Sequence, residues 1–328
     1  MFAKLLAWIT AGVVSGTPLL FGTSGEILTQ KSGNMNLGVE GMMYMGGAFG
    51  LAGAYYYEQA AGEGASGAVA VVIALLCSFL AGAIGALIFS FVTITLRANQ
   101  NVTGLALTML GTGVGQFVGE YMRIKVGGYV ALSNAMKGVF ANSPWPAALR
   151  DIPVIGPLLF SYNIFVYIGV VMAVVMAVWM KRTRTGMNLR AVGESPATAD
   201  AAGIDVIRYR YLATTIGGGI SAIGGMVYIM TTAGCVWNHT GLSGVGWLAV
   251  ALVIFCLWKP ANTLWGAALF GVLTIMYLWV SIPFIPRQLY KILPYVVAII
   301  VLILVSMRQK RENQPPASLG TNYFREER

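Results

Sequence analysis

Two amides and one carboxylate, Asn34, Asn36 and Glu40, lie inside an otherwise apolar, glycine-interrupted stretch, residues 33–43. A charged side chain at the centre of a bilayer costs roughly 2.5–3.5 kcal/mol on insertion scales, so such residues usually face a partner helix, a cavity or a pathway. Amide and carboxylate groups also hydrogen-bond the hydroxyls or ring amides of polar solutes. The stretch therefore predicts a membrane protein that moves a solute past these three side chains.

Two alternatives stay open for this region. Glu40 could make a helix-packing hydrogen bond and never touch a solute. Residues 241–248, also interrupted by glycine, loosely match residues 33–47, and paired segments of this kind indicate the binding site in many transporters. Trp247 in the second segment is a further candidate for the path. With Trp237 it could stack a nucleobase, although anchoring at the membrane interface is the ordinary role of such tryptophans.

The composition predicts an all-α, polytopic membrane protein. Hydrophobic residues make up 57% of the chain and charged residues 10%, against about 25% charged in a soluble domain. Apolar runs of about 20 residues recur, each long enough to cross a bilayer, without the alternation that a membrane barrel requires. The three cysteines and single histidine do not have the spacing of a metal or redox site.

The predicted architecture is a transmembrane helical bundle of about nine spans with at least one broken helix. It occupies residues 1–310 and is followed by a tail, residues 311–328. The longest external loop, residues 120–156, serves either as a surface for a delivery protein or as a folded cap. The predicted spans are residues 2–28, 36–57, 67–96, 102–119, 157–180, 211–230, 243–258, 260–281 and 289–307.

The basic residues indicate the orientation of this bundle. With alternating spans, Lys31, Arg97, the loop 181–210, Lys259 and the tail lie on one side, which then holds 14 of the 21 Lys and Arg residues. Because cytoplasmic loops carry the excess of basic residues, this side is predicted to be cytoplasmic and the N-terminus external. The basic residues form no stripe with aromatic residues, so nucleic acid is not a predicted partner.

The loop 181–210 contains a predicted short helix. Ser195 is a good N-cap, Pro196 suits the first helical position, and Gly203 suits a left-handed terminating position. The alanines between them allow close approach of another surface. We interpret the segment as a cytoplasmic docking helix between two basic flanks; the alternative is an ordinary structured loop.

Three motifs carry a family resemblance: NLGVEGMM, GMNLRAVGESPATADAAGI and the tail PPASLGTNYFREER. They resemble inner-membrane permeases of ATP-binding-cassette (ABC) importers for ribose, other simple sugars, nucleosides and branched-chain amino acids. They are most similar to the nucleoside and simple-sugar subgroup. The resemblance covers residues 18–328 and implies a type II-like permease fold. It further implies that the short helix is the coupling helix, which seats in the ATPase through Glu194, Ser195, Pro196, Ala197, Ala199, Ala201 and Gly203.

The same resemblance implies the partners of the chain. ATP and Mg²⁺ would be bound by a separate ATPase subunit, so this chain is expected to be no enzyme and to hold no cofactor or metal. An external substrate-binding lipoprotein would deliver the solute. A second, related permease would complete the pathway as a heterodimer in the bacterial inner membrane.

An ion-gradient-driven carrier or channel is the alternative function. Such carriers normally hold ionisable residues in several spans, whereas here Glu26 and Glu40 lie near the same bend. Residues 25–32 only mimic a phosphate-binding loop, because Gln30 occupies the place of its second glycine.

Overall fold

The computed structural model describes residues 2–280, 286–308 and 313–325, which form helices and their connections with one isolated antiparallel bridge between Ala131 and Val236. In this described part of the chain the α-helices are α1 (Phe2–Gln30), α2 (Val39–Ala61), α3 (Gly67–Ser90), α4 (Gln100–Val126), α5 (Asn134–Ala141), α6 (Ala147–Arg150), α7 (Ile164–Arg182), α8 (Arg184–Glu194), α9 (Pro196–Ala201), α10 (Val206–Val227), α11 (Val245–Phe255), α12 (Thr263–Thr274), α13 (Met276–Trp279), α14 (Arg287–Tyr290) and α15 (Leu293–Arg308).

Five helices in the described ranges are long and apolar enough to cross a membrane. They are α1, α3, α4, α7 and α10, with α3 and α10 each prolonged by a short π-helical turn. The predicted spans 36–57 and 289–307 correspond to α2 and α15, which are not among the five. The all-helical class is therefore confirmed, while the total of nine spans is not: the described residues hold five such helices, or six spans if the bent pair described next is one span.

The predicted spans 243–258 and 260–281 are instead one bent pair. The chain bends by 120° between α11 and α12. At about 1.5 Å per residue, each helix covers less than 20 Å of a membrane core about 30 Å thick. The chain turns at Leu257 and Trp258, whose φ angles of 56° and 53° are left-handed. Apolar composition alone could not reveal this bend, because both arms are equally apolar.

Helix α4 is longer than predicted and shortens the external loop. The apolar run ends near residue 119, but Glu120 and Arg123 pair one turn apart and the helix continues to Val126. Asn99 caps the start by accepting hydrogen bonds from two backbone N–H groups, and left-handed Gly127 ends the helix. The predicted loop 120–156 thus begins inside a helix and further on contains α5 and α6.

A glycine stripe on α4 forms a helix-packing face. A β-carbon at Gly111 would lie 2.5 Å from the carbonyl carbon of Gly41, and one at Gly115 would lie 2.7 Å from that of Tyr44. A β-carbon at Gly119 would lie 2.0 Å from the ring of Trp237. Small residues let membrane helices approach closely and gain van der Waals contact. The stripe therefore fixes α4 against α2.

Four segments were predicted from their basic residues to lie on the same side of the membrane, and they contact one another in the structure. A β-carbon at Gly193 would lie 2.3 Å from the carbonyl oxygen of Lys31. Lys259 donates a hydrogen bond of 3.1 Å to Asn313, and Asn322 donates one of 2.6 Å to the carbonyl of Arg97. The turn after α1, the loop after α7, the α11–α12 bend and the tail thus share one end of the molecule.

Candidate translocation path and docking surface

The turn between α1 and α2 is a buried polar segment. After Gln30 the chain turns at Gly33, whose φ of 92° is left-handed, and α2 begins at Val39. Asn34 and Asn36 are both fully buried in this connection. Burial lowers the pKa of the Lys31 amine at the start of the turn, and the nearby carboxylate of Glu194 opposes that shift.

Both asparagines hydrogen-bond to neighbouring elements. Asn34 donates its amide to the Thr214 hydroxyl of α10 at 2.8 Å. The side-chain oxygen of Asn36 accepts from the backbone N–H of Gly38 at 2.8 Å, and its own N–H donates to the Glu26 carboxylate at 3.3 Å. These bonds tie the turn to α1 and α10.

A chain of side chains extends this polar cluster to the α11–α12 bend. The amide of Gln30 donates to Glu26 at 2.9 Å, and the indole N–H of Trp258 donates to the Gln30 carbonyl at 2.6 Å. Glu26 Oε2 and Asn34 Oδ1 make no hydrogen bond within the described residues. Because buried acceptors are normally satisfied, these two oxygens have an unmet need for a hydrogen-bond donor such as a water molecule.

Glu40 joins the two glycine-interrupted segments. Its carboxylate oxygens accept hydrogen bonds from the backbone N–H groups of Gly244 at 3.0 Å and Trp247 at 3.3 Å. These groups begin α11, and a carboxylate is favoured at a helix N-terminus because the first N–H groups lack partners inside the helix. A β-carbon at Gly246 would lie 2.3 Å from Glu40 Cα, so the helices touch there. These contacts favour the packing interpretation of Glu40.

The two tryptophans occupy different environments. Trp237 is 6% exposed and lies edge-on to His239, with ring centroids 6.2 Å apart. Trp247 is 38% exposed at the start of α11. Among the described residues no ring contact joins the two, so the arrangement does not favour a shared stacking platform.

The predicted docking helix is present as α9. Ser195 precedes it in an extended conformation with its hydroxyl 2.7 Å from that of Thr198, and Pro196 occupies the first turn. Gly203 follows with a left-handed φ of 82°. The preceding residues 184–194, interpreted as loop, are also helical because Thr183 caps them through the Gly186 N–H.

The docking candidates divide between an outer and an inner face of this region. Glu194, Ser195, Ala197, Ala201 and Gly203 are exposed and Pro196 is half-buried. Ala199 is 3% exposed and packs with Val192 and Val206, so it anchors α9 to the helical body. Ala199 therefore faces the helical body, which helix spacing in the sequence could not reveal, and its role in ATPase coupling stays a prediction.

Two residues of the C-terminal tail that were not predicted from the sequence, Tyr323 and Arg325, contact α9. The hydroxyl of Tyr323 donates to Asp200 at 2.7 Å, and Arg325 forms an ion pair with the same carboxylate at 3.2 Å. The spacing of Asp200 and Tyr323 in the chain carries no signal for this contact. In the part of the chain that the structure describes, no group of three or more His, Cys, Asp or Glu side chains could hold a metal ion.

A membrane helical bundle with a buried polar turn and an exposed docking helix has the features of a transport permease. Residues 8–303 match the family model described as the permease component of branched-chain amino acid transport systems. The chain belongs to this family, which confirms the resemblance drawn from its motifs.

Three relatives illustrate the range of the family. The guanosine ABC transporter permease NupQ of Bacillus subtilis is 33% identical over 267 residues, 80% of this chain and 79% of that protein. The nucleoside ABC transporter permease NupC of Lactococcus lactis is 28% identical over 322 residues, 95% of each chain. TsgC13 of Haloferax volcanii is provisionally named a glucose ABC transporter permease. It is 32% identical over 276 residues, which are 82% of this chain and 76% of that protein.

Proposed function

We propose that the chain is the permease subunit of an ABC importer that carries a nucleoside or simple sugar across the bacterial inner membrane. Its role is transport, and ATP and Mg²⁺ belong to a separate ATPase subunit. The observation that carries the proposal is the exposed helix α9, which lies outside the spans at the end of the molecule that holds the buried polar turn. Membership of the permease family supports it.

Within this proposal, α9 seats in the ATPase subunit on the cytoplasmic side. Ser195, Ala197 and Ala201 offer small side chains, so the backbone of α9 can approach a groove closely. The C-terminal tail shares that side, because it contacts the same elements. The basic residues of this end, including Lys31 and Lys259, support the orientation through the positive-inside rule.

The proposed translocation path passes Asn34, Asn36 and the start of α11 beside Trp247. Support comes from the unsatisfied acceptors of Glu26 and Asn34 and from the α11 N-terminus, which is a half-helix end of the kind that orients substrates in transporters. Glu40 would position α11 along this path. The names of the nucleoside and glucose relatives favour a solute rich in hydroxyl groups.

The assembly needs further subunits. We infer that a second, related permease pairs with this chain, since the five to six apolar spans found among the described residues are few to enclose a path for a polar solute. An external binding lipoprotein would deliver the solute and set much of its selectivity. Identifying the ligand that copurifies with that lipoprotein would name the solute.

Uptake measurements with and without ion gradients test the energy source of transport. Membrane vesicles that contain the assembled transporter are supplied with ATP while the ion gradients are collapsed. Continued uptake of the solute is expected for an ABC importer. Uptake that disappears with the gradient and ignores ATP would contradict the proposal and support a secondary carrier.

A further inference from the structure

The C-terminal residues 316–325 contact several separate parts of the helical body. Ser318 donates from its backbone N–H and its hydroxyl to the Gly193 carbonyl at the end of α8, at 3.1 and 2.7 Å. Gly320 donates its N–H to the Gly33 carbonyl in the polar turn at 3.1 Å. Tyr323 reaches Asp200 of α9. One short segment thus touches the docking helix and the turn that holds the path candidates.

The attachment at α9 combines packing with charge. The ring of Tyr323 packs against the buried cluster of Val192, Ala199 and Val206. Its hydroxyl donates to the Asp200 carboxylate, and a hydrogen bond to an ionised acceptor is stronger than one between neutral groups. Arg325 pairs with Asp200 as well. The six-residue helix is therefore held from two sides.

The attachment at the polar turn is tight. A β-carbon at Gly33 would lie 2.6 Å from the Ser318 hydroxyl and 2.9 Å from Nη2 of Arg210. Arg210 is 2% exposed and donates from Nη1 to the Thr321 carbonyl at 3.1 Å. Because close-packed groups transmit displacement, the segment and the turn have to move together.

The segment also reaches the start of α4. Asn322 donates to the Arg97 carbonyl at 2.6 Å, and the Arg97 guanidinium lies 4.6 Å from the centre of the Phe324 ring. Gln100 accepts a hydrogen bond of 2.7 Å from the Met35 N–H and donates to Asn322 at 3.4 Å. The turn is therefore held at Met35 as well as at Gly33.

We propose that residues 316–325 are the mechanical link between α9 and the polar turn, with Tyr323 and Ser318 as positioning residues. When the ATPase moves α9, Asp200 displaces Tyr323, and the segment carries that displacement through Gly320 to Gly33. The neighbouring Asn34 and Asn36 then change position. The inference rests on the proposed function, because it takes α9 as the site where the ATPase acts.

The test uses the assembled transporter in proteoliposomes, purified through a tag on another subunit. Tyr323→Phe keeps the ring in its cluster and removes only the hydroxyl. Tyr209→Phe is the matched control, because its hydroxyl accepts from Asn188 at 3.1 Å without contacting the tail. Three quantities are measured for each variant: the ATPase retained, the ATP hydrolysed, and the solute imported per ATP.

Tyr323→Phe is expected to keep its ATPase and lower the solute imported per ATP about fivefold to tenfold, as loss of a hydrogen bond to a charged group allows. Tyr209→Phe is expected to match the unmodified protein. Asp200→Ala combined with Tyr323→Phe should lose no more than Asp200→Ala alone, because Asp200→Ala already removes the acceptor of the Tyr323 hydroxyl. A loss of folding stability alone would also lower the ATPase retained and the ATP hydrolysed, whereas loss of the link lowers only the solute imported per ATP.

Two results would overturn the link. Unchanged import per ATP in Tyr323→Phe would show that the segment carries no movement, while α9 could still be the docking helix. Loss of the ATPase from that variant would show that the segment acts in docking instead. The proposed function fails separately, if Ala201→Trp on the exposed face of α9 changes neither ATPase retention nor uptake.

Discussion

The carboxylate of Glu40 accepts a hydrogen bond of 3.0 Å from the backbone N–H of Gly244, which lies 204 positions further along the chain. This bond places an acidic side chain of α2 at the N-terminus of α11. It accounts for a charged residue in an apolar region without requiring contact with a solute. Glu40 is therefore a helix cap between the two glycine-interrupted segments.

Replacing Glu40 should lower the free energy of unfolding, and the loss should be larger when both acceptor oxygens are removed than when only the charge is removed. Glu40→Gln keeps one acceptor oxygen but loses the charge, which costs about 1 kcal/mol at a helix N-terminus. Glu40→Ala leaves two N–H groups without acceptors and should cost about 2–3 kcal/mol. Thermal unfolding of the protein in detergent measures both effects.

Glu58→Ala is the control on the same helix. Glu58 accepts from the Ser133 N–H at 3.2 Å, but this bond is exposed to water, which can replace the lost acceptor. Its unfolding temperature should change little. Equal unfolding temperatures for Glu40→Ala and the unmodified protein would show that the cap does not stabilise the structure.

Two glycines on α4 form a matched pair for testing helix packing. A β-carbon at Gly113 meets no atom within 4 Å, whereas one at Gly115 would lie 2.7 Å from the Tyr44 backbone. Gly113→Ala should be neutral or should stabilise by up to about 1 kcal/mol through helix propensity. Gly115→Ala should destabilise by about 2 kcal/mol because α2 and α4 must separate. Similar unfolding temperatures for the two variants would contradict this packing.

The two faces of α9 should respond differently to tryptophan. Ala199 is buried, so Ala199→Trp overpacks the cluster around Val192 and should lower the yield of folded protein. Ala201 is exposed, so Ala201→Trp should fold normally and lose ATPase binding or solute uptake. Size-exclusion profiles, ATPase retention and vesicle uptake separate the two outcomes. Normal folding of Ala199→Trp would contradict the inward orientation.

The Cys235 thiol should be unreactive in the folded protein. It is 1% exposed and donates to the Met230 carbonyl at 3.2 Å, and burial raises its pKa to about 12. Because the thiolate is the nucleophile, iodoacetamide at pH 8 should modify Cys235 only after denaturation. Mass spectrometry of the labelled peptide measures this. Rapid labelling of the native protein would show that the site is open.

The Cys235 thiol should also make the folded protein less stable at alkaline pH. An unfolded thiol releases its proton near pH 9, whereas the folded one keeps it to about pH 12. The folded state therefore binds more protons in this window, and its stability falls as the pH rises through it. Cys235→Ser should reduce that dependence, as measured by unfolding temperatures from pH 8 to pH 11.

Much of the local architecture was predictable from neighbouring residues. The start of α9 at Pro196, directly after Ser195, and the left-handed Gly203 that follows its end were predictable from short-range patterns. Capping preference and helical spacing act over one or two turns. The shared position of Lys31, Lys259 and the tail was also predictable, because the distribution of basic residues reflects membrane orientation.

The remaining features depend on contacts between residues far apart in the chain. The sequence by itself determined an all-helical membrane protein with a short helix after Ser195, since hydrophobicity and helix-end preferences act locally. Only the tertiary structure decided that Glu40 caps α11, that Ala199 faces inward and that Tyr323 holds Asp200. Each of these contacts depends on which helix surfaces meet when the helices pack. The shape and polarity of both contacting surfaces determine that packing, and no local sequence pattern records it.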